Sequence, residues 1–261
     1  MADFIVKSLH QLFLFLYLMF INSSKLGISS PPAYRLVDPK TYTSTQGFNY
    51  ASSSAGILPE TGFSIFMFVV GVNDYGLTFL GKHNGTAEES DFDAFSTSLL
   101  ERYAVQLEAI FNMGARKFVV FDIEPMGCLP AQVQKFKQQN SKCVGDYNIM
   151  VSTYNAKLPN KLQELQSKLQ GSTFVLAKHY NFMLNLVQKP ACFGLKEVAS
   201  PCCPVTPFGN CDAKRPPCPD RNLFAFFDAF HPTEATYKAL AETCFTGKHL
   251  CVPNIQQLAT L

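Results

Sequence analysis

Three short apolar segments, separated by two long amphipathic helical patterns, constrain the fold of this chain most strongly. The segments are Ser64–Val70, Lys117–Phe121 and Thr173–Ala177. Strands that are apolar throughout are buried on both faces, and strands that alternate with helices along a chain form parallel sheets covered by helices. The pattern therefore predicts an α/β domain with a parallel sheet and helices on both of its faces.

The two long helical patterns lie between these strands, and a shorter one follows the last of them. Residues 92–113 and 146–169 carry apolar side chains at helical spacing. Pro159 interrupts the second pattern, so one kinked helix or two separate helices are both expected there. A final helix is predicted over Thr233–Cys244, and a further short strand over Gly47–Ala51.

Composition excludes several classes of protein. Hydrophobic residues make up 47% of the 261 residues, charged residues make up 16%, and the net charge is +2, so the chain is not intrinsically disordered. No Lys/Arg run points to nucleic acid or to an acidic membrane surface as a partner. No Cys-x-x-Cys pair is present, and neither a metal nor a cofactor is expected.

The nine cysteines all lie in the second half of the chain. Five fall between Cys192 and Cys218, in a stretch rich in Pro and Gly that cannot build its own core. We predict disulfides from Cys192 onward, with the adjacent Cys202 and Cys203 bonded to different partners. The alternative is a set of buried free thiols in a cytosolic enzyme. An odd count leaves at least one thiol free or paired between chains.

The N-terminal region is consistent with secretion. Leu12–Ile21 is an unbroken apolar run of ten residues, which suits a signal peptide over residues 1–24 and is too short to span a bilayer. No second long apolar run occurs, so no stable membrane span is expected. Asn84-Gly85-Thr86 would be a glycosylation acceptor in a secreted protein.

Two loops next to predicted elements contain the chemically interesting residues. Asp228 and His231 are three residues apart before the last helix, a spacing that lets the carboxylate orient the imidazole as a general base. Asn73 follows the first strand and a glycine, where its amide could donate to an oxyanion. The alternatives are a helix-start Asp beside a surface His, and a simple Asn73-Asp74 turn.

With their flanks, these loops resemble the plant GDSL esterases/lipases of the SGNH hydrolase superfamily. The matching segments occur in the family's order: GFNYASSSAGILPETG at 47–62, FVVGVNDYG at 68–76, GARKFVVFDIEPMGCLP at 114–130, YNAKLPNKLQEL at 154–165 and FFDAFHPTEA at 226–235. The resemblance implies a three-layer α/β/α, flavodoxin-like fold. It also implies hydrolysis of small-molecule or lipid carboxylic esters through a Ser-Asp-His triad.

The resemblance also suggests a role for each site residue. Asp228 and His231 take the positions of the triad carboxylate and base, and Asn73 takes that of the oxyanion-hole amide. Ser53 stands where the family has a glycine whose backbone N–H serves the oxyanion hole. The Cys-rich stretch resembles the disulfide-bearing segment of secreted members.

The departures from the family pattern are equally specific. The family's first motif, Gly-Asp-Ser, holds the nucleophile, and no such tripeptide occurs in this chain. The sheet is therefore expected to be incomplete at its N-terminal side, and hydrolysis is expected at background level. Ser54 is a candidate substitute nucleophile, because its surroundings approach a Gly-x-Ser-x-Gly elbow without the first glycine.

These observations leave the N-terminus and the function open. The apolar run at 12–21 is flanked on both sides by family-like sequence, and a retained intron or a faulty gene model would also produce such an insertion. We assign residues 25–246 to the hydrolase-like domain and residues 247–261 to a C-terminal tail. A non-catalytic binding relative and a truncated product that does not fold are the alternatives to an esterase.

Overall fold

The computed structural model describes residues 65–83, 88–136 and 143–261. The strands are β1 (Ile65–Phe68), β2 (Lys117–Phe121), β3 (Thr173–Ala177), β4 (Glu197–Pro201) and β5 (Phe224–Phe226). The helices are α1 (Leu80–His83), α2 (Glu89–Asn112), α3 (Pro130–Lys135), α4 (Gly145–Lys168), α5 (His179–Gln188), α6 (Glu234–Thr246) and α7 (Ile255–Thr260). A π-helical segment (Asp74–Phe79) precedes α1, and three short 3₁₀ turns lie at Met126–Cys128, Pro190–Phe193 and Arg221–Leu223.

The predicted parallel sheet is confirmed. Strands β1, β2 and β3 pair in that order, and both pairs are parallel. Phe118 of β2 lies beside Phe66 on one side and Phe174 on the other. Every residue of β2 is buried, as expected for a strand covered on both faces. The bounds predicted for β2 and β3 agree with the structure.

Helices cover both faces of this sheet. Phe68 packs against Tyr103 of α2 and stacks on Phe118, which places α2 on the Phe118 face. Lys117, the neighbour of Phe118, points to the opposite face because successive side chains of a strand alternate. Its Nζ donates to the carbonyl of Ala259 in α7 at 3.5 Å. The described part of the chain therefore has the α/β/α layering that the sequence predicts.

Helices α2 and α4 pack side by side and run in the same direction. Lys157 pairs with Asp93 at 2.7 Å, and farther along both helices Lys168 pairs with Glu108 at 2.6 Å. Pro159 lies inside α4, which continues through it as one helix. The apolar stripe of α4 is buried under the sheet, and this packing outweighs the hydrogen bond that a proline cannot donate.

Disulfides hold the region after α5 together. Cys202 bonds to Cys218 and Cys203 to Cys211, so the prediction that adjacent cysteines take different partners is confirmed. Cys192 is an exposed free thiol. Two further disulfides join Cys128 to Cys143 and Cys244 to Cys251. Only the second of these belongs to the set predicted from Cys192 onward.

Residues 247–261, which the sequence analysis sets apart as a tail, pack against the rest of the domain. Cys251 is crosslinked to α6, and it forms an isolated bridge with Ala177 at the end of β3. Ile255 and Leu258 of α7 are buried in the main hydrophobic core. This segment therefore contributes to the packing that stabilises the sheet.

Several predictions fall on residues outside the described ranges. They concern the strand at Gly47–Ala51, the apolar run Leu12–Ile21, the acceptor triplet at Asn84, and the serines Ser53 and Ser54. Within the part of the chain that the structure describes, no helix combines the length and the apolar character needed to cross a bilayer.

Candidate active site

The loop that carries Asp228 and His231 is held by its own backbone. Asp228 lies two residues after β5, and its Oδ1 accepts the N–H groups of Phe230 and His231, both at 2.8 Å. The Phe227 N–H donates to the His231 carbonyl at 2.7 Å, which closes the turn. These bonds fix the positions of both side chains in a short turn between β5 and α6.

The two side chains form the predicted pair. Nδ1 of His231 lies 2.8 Å from both carboxylate oxygens of Asp228. The Asp228 side chain is 3% exposed and that of His231 is 29% exposed, so the carboxylate is buried and the imidazole reaches the surface. Burial alone would raise the pKa of Asp228, but the hydrogen bonds from His231 and the loop N–H groups hold it below its ordinary value.

This geometry decides how the imidazole can act. An ionised carboxylate only accepts hydrogen bonds, so Nδ1 of His231 must carry the proton that points at Asp228. Nε2 is then the nitrogen that can take up a proton. The carboxylate stabilises the imidazolium that forms when it does. His231 is therefore hydrogen-bonded to Asp228, and the catalytic role of the pair stays a prediction.

The loop is anchored to its surroundings on two sides. Thr233 caps the N-terminus of α6 by accepting the Thr236 N–H, and its hydroxyl donates to the Phe224 carbonyl at 2.6 Å. On the other side, the Ala229 carbonyl accepts the N–H of Ala131, at the start of α3, at 3.0 Å. The segment that follows β2 therefore lies against the His231 loop.

Glu124, which the sequence did not single out, lies in this segment and interacts electrostatically with His231. It lies three residues after the end of β2, and burial raises the pKa of its carboxyl to about 7, against the opposing effect of nearby His231. Burial, together with Glu124 and Asp228, also keeps the pKa of Tyr237 well above its ordinary value. A polar side chain in the segment that follows a buried strand drew attention to Asn73, and the same signal applies to Glu124.

Asn73 lies on the loop after β1. Its side chain makes no capping bond to the helical segment that follows, and the residue is exposed. Gly71 has a φ of +110°, and a Cβ there would come within 2.7 Å of Ile123 Cδ1, so this glycine lets the β1 loop approach the β2 loop closely. Asn155 of α4 braces the same β2 loop by bonding to both the N–H and the carbonyl of Ile123, at 2.9 and 2.7 Å. The role of the Asn73 amide as an oxyanion donor stays a prediction.

A buried carboxylate bonded to a partly exposed imidazole, on a domain with a parallel sheet between helices, is an arrangement found in hydrolases that use a histidine as general base. The sequence profile of the GDSL-like lipase/acylhydrolase family matches residues 17–243, and the chain belongs to this family. It is an ester hydrolase by family.

Plant relatives agree with this assignment. GDSL esterase/lipase 7 of Arabidopsis thaliana is 29% identical over 86% of this chain and 74% of its own length. Another Arabidopsis thaliana GDSL esterase/lipase is 31% identical over 87% of this chain and 75% of its own length. A third is 29% identical over 87% of this chain and 74% of its length. The similarity therefore extends over most of the domain.

Proposed function

We propose that this chain is a secreted member of the family with the site of a carboxylic-ester hydrolase, in which His231 is the general base, Asp228 is its orienting carboxylate, and Asn73 and Ser53 are oxyanion donors. The observation that carries the proposal is the contact of His231 Nδ1 with both oxygens of Asp228 at 2.8 Å. Four disulfides are consistent with an oxidising compartment and therefore with secretion.

The chemistry assigned to each residue follows from its atoms. Nε2 of His231 takes the proton of an attacking hydroxyl while the oxygen of that hydroxyl bonds to the ester carbonyl carbon. The negative charge then moves to the carbonyl oxygen, where Asn73 and the Ser53 N–H donate. The imidazolium returns its proton to the alkoxide as the carbon–oxygen bond breaks, so the alcohol leaves neutral.

This chain lacks the motif that supplies the attacking serine hydroxyl in the family. Because the Gly-Asp-Ser tripeptide is absent, we expect hydrolysis of p-nitrophenyl butyrate at background level. Removing the nucleophile of a triad lowers kcat by about 10⁶-fold in a protease in which it has been measured. The second candidate function is therefore ester binding without turnover, and the missing motif is the observation that favours it.

One experiment separates these possibilities. The full chain, His231→Ala and His249→Ala are each assayed for hydrolysis of p-nitrophenyl butyrate and for labelling by a fluorophosphonate. His249 is an exposed histidine outside the site and provides the matched control. Circular dichroism on each sample shows whether the domain is folded.

Each result has a defined meaning. Background rates and no labelling in all three folded proteins agree with a site that lacks its nucleophile. Hydrolysis that is lost in His231→Ala and kept in His249→Ala supports His231 as the base, and it overturns the expected inactivity because another hydroxyl must then attack. Hydrolysis that survives His231→Ala overturns the assigned role of His231.

A further inference from the structure

Phe208 is the most exposed large apolar side chain among the described residues, at 86% exposure. Phe136, the next most exposed phenylalanine, is 44% exposed and its ring lies 5.6 Å from that of Tyr147. A phenyl ring in water keeps a large apolar area hydrated, which is unfavourable. One exposed apolar residue is ordinary on a protein surface, so its setting decides whether it has a role.

The setting is a loop that cannot bury this ring by folding inward. The disulfide between Cys203 and Cys211 closes the loop, and the Thr206 N–H donates to the Asn210 carbonyl at 2.7 Å inside it. Pro207 precedes the phenylalanine and restricts its backbone. The crosslink and the backbone bond therefore present Phe208 to the surroundings in a fixed conformation.

The same loop is packed against the segment that carries His231. The Ala229 N–H donates to the Gly209 carbonyl at 3.0 Å, and Gly209 has a φ of +84°. A Cβ on Gly209 would overlap the ring of Phe230, so the backbone of the loop lies directly on that ring. Phe230 is the residue before His231. Phe208 therefore projects from a loop that shares direct contacts with the general-base loop.

Cationic residues follow the loop. Lys214 and Arg215 are exposed, and the only acidic residue between Phe208 and Cys218 is Asp212, which pairs with Arg215 at 3.4 Å. The Asp212 N–H donates to the Pro204 carbonyl at 2.8 Å, which keeps this stretch beside the start of the loop. An exposed phenyl ring with neighbouring cations suits a surface with an apolar interior and anionic head groups.

We propose that Phe208, presented by the Cys203–Cys211 loop, inserts into a lipid surface and seats the domain with its His231 loop next to that surface. The partner is a lipid bilayer with anionic head groups, which the overall net charge of +2 gave no reason to expect and which only the local position of Lys214 and Arg215 beside this loop suggests. The proposal rests on the proposed function only in placing an ester at His231. Lipid binding itself requires neither a nucleophile nor turnover.

The absence of tryptophan from this chain makes a direct test possible. Phe208→Trp introduces a single indole at the tip of the loop. Val105→Trp introduces one on α2, at a side chain that is also exposed (67%), and serves as the matched control. Each full-length variant is mixed with vesicles of phosphatidylcholine and phosphatidylglycerol, with and without brominated acyl chains.

We expect the vesicles to shift the emission of Phe208→Trp to shorter wavelengths, and brominated chains to quench it, while Val105→Trp shows neither change. The proposal is overturned if the Phe208→Trp emission is unchanged or if Val105→Trp responds to the same extent. If the chain contacts lipid through another part of its surface, the vesicles leave the Phe208→Trp emission unchanged or change both variants alike. If the occupant of the Phe208 loop is a protein, the vesicles leave the Phe208→Trp emission unchanged.

A second measurement avoids the added indole. In vesicle flotation, Phe208→Ser is expected to bind at least about tenfold more weakly than the unmodified chain, because a buried phenyl ring is lost. Val105→Ser is expected to bind unchanged, and equal binding by all three proteins overturns the proposal. His231→Ala keeps lipid binding if the proposal holds, so failure of the esterase assignment and failure of the lipid contact give different results.

Discussion

The two halves of the domain are stabilised in different ways. The sheet half, residues 65–188, buries a continuous apolar core around β2, where Phe118, Val119 and Val120 have no exposed surface. The crosslinked half, residues 192–261, pairs only two strands, β4 and β5, and contains three of the four disulfides. The Asp228–His231 pair lies in the crosslinked half. The geometry of this pair therefore depends on disulfides and loop hydrogen bonds, while most of the buried apolar core, to which the crosslinked half also contributes, lies in the sheet half.

We expect the largest loss of stability from a substitution in the sheet half. Phe118→Ala removes a fully buried ring that packs with Phe68 and Phe174, and we expect it to lower the free energy of unfolding by about 3–5 kcal/mol. Phe208→Ala is the control, with an expected change within about 0.5 kcal/mol because that ring is exposed. Chemical denaturation followed by circular dichroism measures both. Equal losses would show that the core around β2 does not dominate stability.

A somewhat smaller effect should appear in the pH dependence of the sheet half. Burial lowers the pKa of His179 from 6.5 to about 4, and its Nε2 has no hydrogen-bond partner. Between these two values the unfolded chain binds a proton at this position that the folded chain does not. Stability from this group is therefore complete above pH 6.5 and declines as the pH falls toward 4, by up to about 3 kcal/mol.

A substitution separates the pH-dependent contribution of His179 from that of the nearby Asp122. Burial raises the pKa of Asp122, which accepts backbone bonds at the start of α5, to about 7, and its contribution has the opposite sign. His179→Phe should therefore flatten the loss of stability between pH 6.5 and 4, and His249→Phe, at an exposed site, should not. Denaturation midpoints across this pH range provide the measurement. Parallel profiles for both variants and the parent chain would contradict the assignment.

The smallest of the three effects concerns the crosslinked half. The double substitution Cys203→Ser and Cys211→Ser opens a loop with a sequence separation of eight, and chain entropy predicts a loss of about 2–3 kcal/mol. Cys192→Ser is the control, because that thiol is free and exposed. We expect limited proteolysis to cut faster near this loop while the sheet remains protected. Cleavage spread evenly over both halves would mean that they unfold as one unit.

Much of the sheet half could be predicted because its signals are local. Strands β2 and β3 agree with the predicted bounds, since a short run of β-branched and aromatic residues between polar ends is typical of a buried strand. The helix predicted at 146–169 is observed at Gly145–Lys168. Because of Pro159, the sequence was compatible with one kinked helix or with two helices. The packing of the apolar stripe of α4 against the sheet favours a single helix. Helix α5 was not predicted, because ten residues directly after a strand are too few to show a clear helical periodicity.

The crosslinked half was less predictable for a physical reason. Its strands β4 and β5 pair with an irregular register, and the hydrogen bonds that support them come from residues far away in the chain. Disulfide partners depend on distances in space, so the sequence could indicate that Cys202 and Cys203 have separate partners without identifying them. The pairing of Cys128 with Cys143 lay outside the predicted set for the same reason.

The sequence by itself determined the parallel sheet and the Asp228–His231 pair, because strand burial and a three-residue turn are encoded by neighbouring residues. Only the tertiary structure packed residues 247–261 into the core and placed the Cys203–Cys211 loop on Phe230. Each of these contacts joins segments that are distant along the chain. Their formation depends on how the helices and loops pack around the sheet, and no local pattern carries that information.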